Sequence, residues 1–271
     1  MGSEKITDSG IIGIDAGGTF TDLAFLRDPD KAILARAKTP TKHDDLAGTI
    51  ETGLSMILAK VDARAVSGIN LASTLATNAI VEDKLQSAAI FLLGYPVDAV
   101  QKAQKEQTFG TDTIISIRGG HDVWGVQKDP LDEGALEEAL LGLPAKIKAV
   151  AVSGYFSVRN PAHEDRALQI IEELRPKLYV TCGHELAMDL DAIKRATTCG
   201  LNAGLIPIVI DLLDSVGEIC SKKGLADVPL SIVRGDGSLV SASWAKLHPV
   251  EMILSGPAAS ACGAYFLAGA P

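Results

Sequence analysis

The sequence predicts an α/β fold, because short β-branched runs alternate with longer segments whose apolar residues recur every three or four positions. A second observation is the pair of apolar runs at 11–14 and 23–26. They flank a Gly-Gly-Thr turn and predict an opening β-hairpin. Residues 32–37 read as a third strand, and Lys38-Thr39-Pro40-Thr41 as a polar connection.

A strong helix follows. Asp44 and Asp45 suit its positive end, and Leu46, Ile50, Leu54, Ile57 and Leu58 define one buried stripe. Residues 69–73 and 88–93 read as strands that bracket a helix beginning near Ala76. The segment 112–124 has a β-prone run, then Gly119 and Gly120 before His121-Asp122, and reads as an excursion from the sheet. Residues 131–141 form a predicted helix capped by Asp132, and 147–152 a buried strand. Asn160-Pro161 opens the next helix, with Ala167, Leu168, Ile171 and Leu174 on one face. A strand at 179–182 and a long helix at 190–223 continue the alternation.

With 271 residues, 47% of them hydrophobic, the chain can bury about three quarters of its unfolded surface, enough for one or two domains. A net charge of −9 without Lys/Arg clusters disfavours a large nucleic-acid footprint. It leaves room for a magnesium-bound nucleotide. Cys182, Cys199, Cys220 and Cys262 lie far apart in apolar surroundings without Cys-x-x-Cys spacing. They read as reduced, buried thiols of a cytoplasmic protein, with no disulfide framework and no zinc site. His43, His121, His163, His184 and His248 are equally scattered and read as surface or loop residues. Residues 1–10 are polar, and the most apolar helical stretch, 200–216, is interrupted by Asn202, Pro207, Asp211 and Asp214. Neither reads as a signal peptide or a membrane span.

Most of the chemical information sits in residues 11–22, Ile-Ile-Gly-Ile-Asp-Ala-Gly-Gly-Thr-Phe-Thr-Asp. A strand ends at the carboxylate of Asp15, two glycines leave room for close approach, and Thr19 and Thr21 add hydroxyl and backbone donors. Such a turn can hold phosphate, with Asp15 placed to bind Mg²⁺ directly or through water. It is not a P-loop, since no lysine follows the last glycine and a strand follows instead of a helix. The alternative is a plain hairpin in which Gly17 and Gly18 supply positive φ angles.

The segment resembles the first phosphate loop of the actin-like ATPase and sugar kinase superfamily. Gly-Gly-Thr-Phe-Thr-Asp is similar to the N-terminal signature of the hydantoinase A/5-oxoprolinase family, which also includes subunits of ATP-dependent acetone and acetophenone carboxylases. The likeness continues through Gly120-His121-Asp122, Arg159-Asn160-Pro161, Leu201-Asn202-Ala203 and Leu254-Ser255-Gly256-Pro257-Ala258-Ala259. It implies a ribonuclease H-like, actin-like ATPase lobe with a mixed sheet, in residues 1–110, plus an α/β insertion or second subdomain in residues 111–271. Strands to residue 93, three of them antiparallel at the start, match the element order of that lobe.

The resemblance also implies ATP and magnesium as cofactors. Gly17, Gly18, Thr19, Phe20, Thr21, Ser255 and Gly256 would contact nucleotide, Asp15 would hold the metal, and Asp15 and Asp22 would serve catalysis. Ser255 would stand at a strand end; a simple helix start with Pro257 in its first turn is the alternative. Thr74, Thr77 and Asn78 are candidate substrate contacts, with helix capping as their other reading. Asp22 could instead cap the hairpin turn.

Two departures from the family pattern stand out. Leu71-Ala72-Ser73-Thr74 replaces the His-Gly-Thr-Thr of many larger members, removing a possible acid, base or ligand. Gly235-Asp236-Gly237 stands where larger relatives have Asp-Gly-Gly. Neither a second phosphate loop nor an adenosine-binding segment is recognisable, which suggests an N-terminal fragment with little ATPase activity alone. The implied activity is ATP-dependent opening of a cyclic amide, with a hydantoinase B-like subunit or a homo-oligomer as partner. A small-molecule kinase of the same superfold and a non-catalytic nucleotide-binding subunit are the alternatives.

Overall fold

The computed structural model describes residues 4–106, 109–188 and 190–269. The chain divides into two compact units, Met1–Val81 with Val209–Pro271, and Glu82–Ile208.

The first unit begins with β1 (Gly10–Ala16), β2 (Phe20–Arg27) and β3 (Ile33–Pro40), paired antiparallel in succession. In β1 every second residue is buried, so Ile12, Ile14 and Ala16 share one face. Helix α1 (Leu46–Leu58) covers the inner face of the hairpins with Ile50, Leu54 and Ile57, and Asp45 caps it by accepting from Gly48 N at 2.9 Å. Strand β4 (Val66–Ser73) then runs parallel to β1 and is followed at once by α2 (Leu75–Val81).

The second unit opens with β5 (Ala88–Leu93) and α3 (Val97–Lys105). Strand β6 (Thr113–Ile117) is followed by a small hairpin of β7 (Gly120–His121) and β8 (Gln127–Asp129). Next come α4 (Glu133–Gly142), β9 (Ala149–Gly154), α5 (Ala162–Leu174), β10 (Tyr179–Cys182), the short α6 (Gly183–Leu186) and the long α7 (Ala192–Lys222). The strands form a parallel sheet in the order β10-β9-β5-β6. All residues of β5 and β9 are buried, as parallel strands covered on both faces require. Phe91, Val150 and Val152 pack there with Leu136, Leu140 and Ile171.

The division between units falls within α7, after Ile208. The first sheet is then completed by β11 (Leu230–Val233), parallel to β4, and β12 (Leu239–Ser241), antiparallel to β11. Helices α8 (Ala242–Leu247) and α9 (Ser255–Leu267) follow, and the sheet order is β12-β11-β4-β1-β2-β3.

Several expectations change. The strand at 88–93 leaves the first sheet and becomes the centre of the second, because its six consecutive apolar residues are served only by burial on both faces. The fifth strand of the first sheet is β11, far along the chain. Residues 82–110 therefore group with the following α/β region, and 209–271 return to the first unit, whereas the sequence placed a boundary after 110. The segment at 112–124 is only partly an excursion, since β6 pairs with β5. Ser255 does not stand at a strand end: a 3-10 turn, Pro249–Met252, leads into α9 through Leu254 at φ 62°.

Three cysteines are buried as expected, but Cys262 is exposed, because most of α9 is uncovered. His121 and His163 are not surface residues. They are buried with ring centroids 4.3 Å apart, and Nδ1 of His163 accepts from Gly120 N at 3.1 Å.

Candidate functional site

The turn between β1 and β2 lies at the carboxyl end of β1, beside the carboxyl end of its parallel neighbour β4. The two strand ends are tied together, since Thr74 N donates to Ala16 O at 3.2 Å. Helix α2 begins one residue later. This is the edge of an α/β sheet at which ligands characteristically bind.

Within the turn, Gly17 N donates to Phe20 O at 3.2 Å, and a Cβ on Gly17 would lie 2.9 Å from that oxygen. Nothing lies within 4 Å of a Cβ built on Gly18, so the turn is open to approach there. Neither residue is among those with positive φ. The glycines are thus not needed for a left-handed turn: one relieves crowding and the other leaves space.

Asp15 and Asp22 are directly opposed across the β1–β2 pair and line the same cavity, about 780 Å³, on the sheet face away from α1. Burial, and then the charge of Asp22, raise the pKa of Asp15 above the usual carboxylate value. Gly256, in the first turn of α9, closes the other side: a Cβ there would lie 3.8 Å from Asp15 Oδ1 and 3.5 Å from Thr74 Cγ2. The two opposed carboxylates offer oxygen donors of the kind a hard divalent cation such as Mg²⁺ takes, in a cavity whose wall is otherwise mainly apolar, with Ile14, Leu23, Ala24 and Leu26.

Other predicted residues brace this site. Thr21 is fully buried and shares a hydrogen bond with the Thr41 hydroxyl at 2.9 Å, while Thr41 N donates to Thr19 O at 2.9 Å. Ser255, also fully buried, donates to Ser73 O at 3.0 Å and accepts from Ser73 N at 3.4 Å, pinning α9 to the end of β4. Thr77 Oγ1 accepts from Leu254 N at 3.0 Å, and Asn78 Nδ2 donates to Thr74 Oγ1 at 3.3 Å. Thr19 and Phe20 are exposed at the tip.

Asp22 does not cap the turn through its side chain. Its carboxylate is bound by Lys38 Nζ at 2.9 and 3.0 Å, and that ammonium also lies 4.6 Å from the centre of the Phe20 ring. Lys38, Arg36 and Asn70 line the cavity and were missed in the sequence. The signal was available: Ala35 and Ala37 are buried, so Arg36 and Lys38 fall on the opposite face of β3.

The mixed-sheet α/β fold is of the actin-like ATPase type. The model of the hydantoinase/oxoprolinase N-terminal region matches residues 11–175, and that of hydantoinase/oxoprolinase matches residues 195–270. The chain belongs to the hydantoinase/oxoprolinase family. It is 28% identical over 274 residues to the caprolactamase subunit alpha of Pseudomonas jessenii, covering 92% of this chain and 38% of that protein. It is 26% identical over 294 residues to the acetophenone carboxylase gamma subunit of Aromatoleum aromaticum, covering 94% and 39%. Among solved structures, the ATP-dependent caprolactamase from Pseudomonas jessenii superimposes with a TM-score of 0.82 at 25% identity, over 96% of this chain and 40% of that one. The chain thus spans well under half the length of these relatives. Among the described residues, no helix is long and apolar enough to cross a membrane.

Proposed function

We propose that this chain supplies the first phosphate-binding half of an ATP-dependent hydrolase that opens a cyclic amide by phosphate activation. The observation that carries the reading is the open turn at Gly18, set at the carboxyl ends of two parallel strands beside the opposed Asp15 and Asp22.

In this reading the backbone N–H groups of Gly18 and Thr19 cradle phosphate oxygens, while that of Gly17 closes the turn on Phe20 O, and Thr74 and Gly256 border the same space. Asp15 holds Mg²⁺, with Asp22 as a second carboxylate. The cation, when bound, neutralises phosphate charge and helps orient the transferred group. Lys38 holds Asp22 in one orientation through its two short contacts. Catalysis is then mainly positioning and charge compensation, and the cyclic amide becomes reactive once its oxygen carries phosphate. Asp22 orients the attacking hydroxyl or water, and Thr77 and Asn78 border the substrate. Relatives named as subunits support work alongside a second subunit of the hydantoinase B type. The free thiols among the described residues suit a cytoplasmic setting.

Calorimetry with Mg²⁺-ATP tests the reading, on this chain and on a version extended to the length of its relatives, each beside Asp15→Ala. Binding that is lost in Asp15→Ala is the expected result. Absence of binding in the extended protein overturns it. A screen of lactams and hydantoins against ketones with bicarbonate then separates amide opening from carboxylation, the reaction in the name of the Aromatoleum relative.

A further inference from the structure

A second cluster of reactive side chains, unused by the reaction above, lies at the carboxyl end of β10. Cys182 ends that strand, His184 sits in α6, and Glu164 comes from the first turn of α5. A thiol sulfur, an imidazole nitrogen and a carboxylate oxygen lie within 4.8 Å of one another. Tetrahedral coordination with ligand distances near 2.0–2.3 Å needs donor separations of about 3.5 Å, so a cation would replace the 2.6 Å hydrogen bond between His184 Nδ1 and Glu164 Oε2, with those two atoms moving apart.

The cluster is held in place. Glu164 is fully buried and accepts from Gly154 N at 2.6 Å and His184 N at 2.9 Å, while His184 Nδ1 lies 2.6 Å from its Oε2. Two carboxylate oxygens offer about four acceptor positions, so one remains after these contacts. Gly183 makes the approach possible, since a Cβ there would lie 3.2 Å from Glu164 Oε1 and 3.1 Å from Ser153 Oγ. On the far side of the imidazole, Nε2 lies 3.6 Å from the carboxylate of Asp165. That is beyond direct hydrogen-bond distance, and a small ring rotation would let Asp165 accept from Nε2–H, the arrangement that fixes the tautomer and orientation of a metal-bound histidine. The His184 side chain is 21% exposed, which gives a route from solvent to an otherwise closed cluster.

We propose that Glu164, Cys182 and His184 form a binding site for a thiophilic divalent cation of the zinc type, with Asp165 orienting the histidine and a fourth position left for water. The mixed N, O and S donors suit such an ion and disfavour magnesium. This site is independent of the phosphate turn. Binding releases the thiol proton of Cys182 and any proton on Nδ1 of His184 to solvent, leaving thiolate, neutral imidazole and carboxylate as ligands. Burial and the neighbouring carboxylates, Glu164 foremost, keep the Cys182 thiol protonated without a cation, and coordination reverses that preference.

The test uses Co²⁺ as a spectroscopic probe on chelator-treated protein, followed by Zn²⁺ displacement. One equivalent of Co²⁺ with a thiolate-to-cobalt charge-transfer band, bleached by Zn²⁺, is expected. The band disappears in Cys182→Ser, persists in Cys262→Ser, and Asp165→Asn weakens Co²⁺ binding by about tenfold. His184→Asn, at a partly exposed position, is a second variant that also abolishes the band, with circular dichroism confirming that it folds. An oxygen-only site at Asp15 cannot give a sulfur band, so the outcome is separate from that of the nucleotide reading. No band in the wild-type chain, or a band that survives in His184→Asn or Cys182→Ser, overturns the proposal.

Discussion

Asp15 combines partial burial with a facing carboxylate, and both raise its pKa. A carboxyl group with a raised folded-state pKa binds more protons in the native than in the unfolded state, so its ionisation costs stability as pH rises through that pKa. Asp15→Asn is therefore expected to raise the melting temperature at neutral pH while abolishing Mg²⁺-ATP binding, read by calorimetry beside thermal denaturation. Lys38→Met removes an exposed ion pair and is expected to change stability by less than about 1 kcal/mol, so a larger loss of nucleotide affinity would come from the site itself. The histidines give a sharper pH signature. Its hydrogen bond to Glu164 raises His184, whereas burial lowers His121 and His163. Proton NMR titration of chelator-treated protein should find the first above the ordinary value near 6.5 and the other two below it.

Among the elements, those marked by a strong local pattern were legible: the hairpin, α1, the apolar run of β5, β10 and the Asp132 cap, which accepts from Ala135 N at 3.1 Å. Asp132→Ala should cost about 1 kcal/mol in urea unfolding. Sheet membership was not legible. An apolar run such as β5 states that it is buried without stating against which strand, and β11 joins β4 only because the chain returns after more than a hundred residues. The Gly17-Gly18 turn was readable as a turn because its residues are contiguous in sequence, whereas the Glu164, Cys182 and His184 cluster is assembled by packing. Gly94 marks another join the sequence hid. It has φ 69°, and a Cβ there would lie 2.6 Å from Gly119 O, so Gly94→Ala should lose roughly 2 kcal/mol or more by urea unfolding.

For the whole molecule, the two sheets have separate cores, so deletions in each should be felt mainly within one unit. Leu54→Ala is expected to cost about 2–5 kcal/mol and to lower hydrogen-exchange protection in Met1–Val81 and Val209–Pro271, and Leu136→Ala to do the same in Glu82–Ile208. The return of β11 to the first sheet also has a consequence in time. On the ribosome, β1 to β4 emerge long before the strand that will cover the free edge of β4, and at ordinary translation speeds the wait is on the order of ten seconds. The continuous second unit can close its own sheet during that interval. The earlier-made sheet must meanwhile carry an unpaired inner strand, which makes the nascent chain, more than the finished protein, the form exposed to wrong strand pairing.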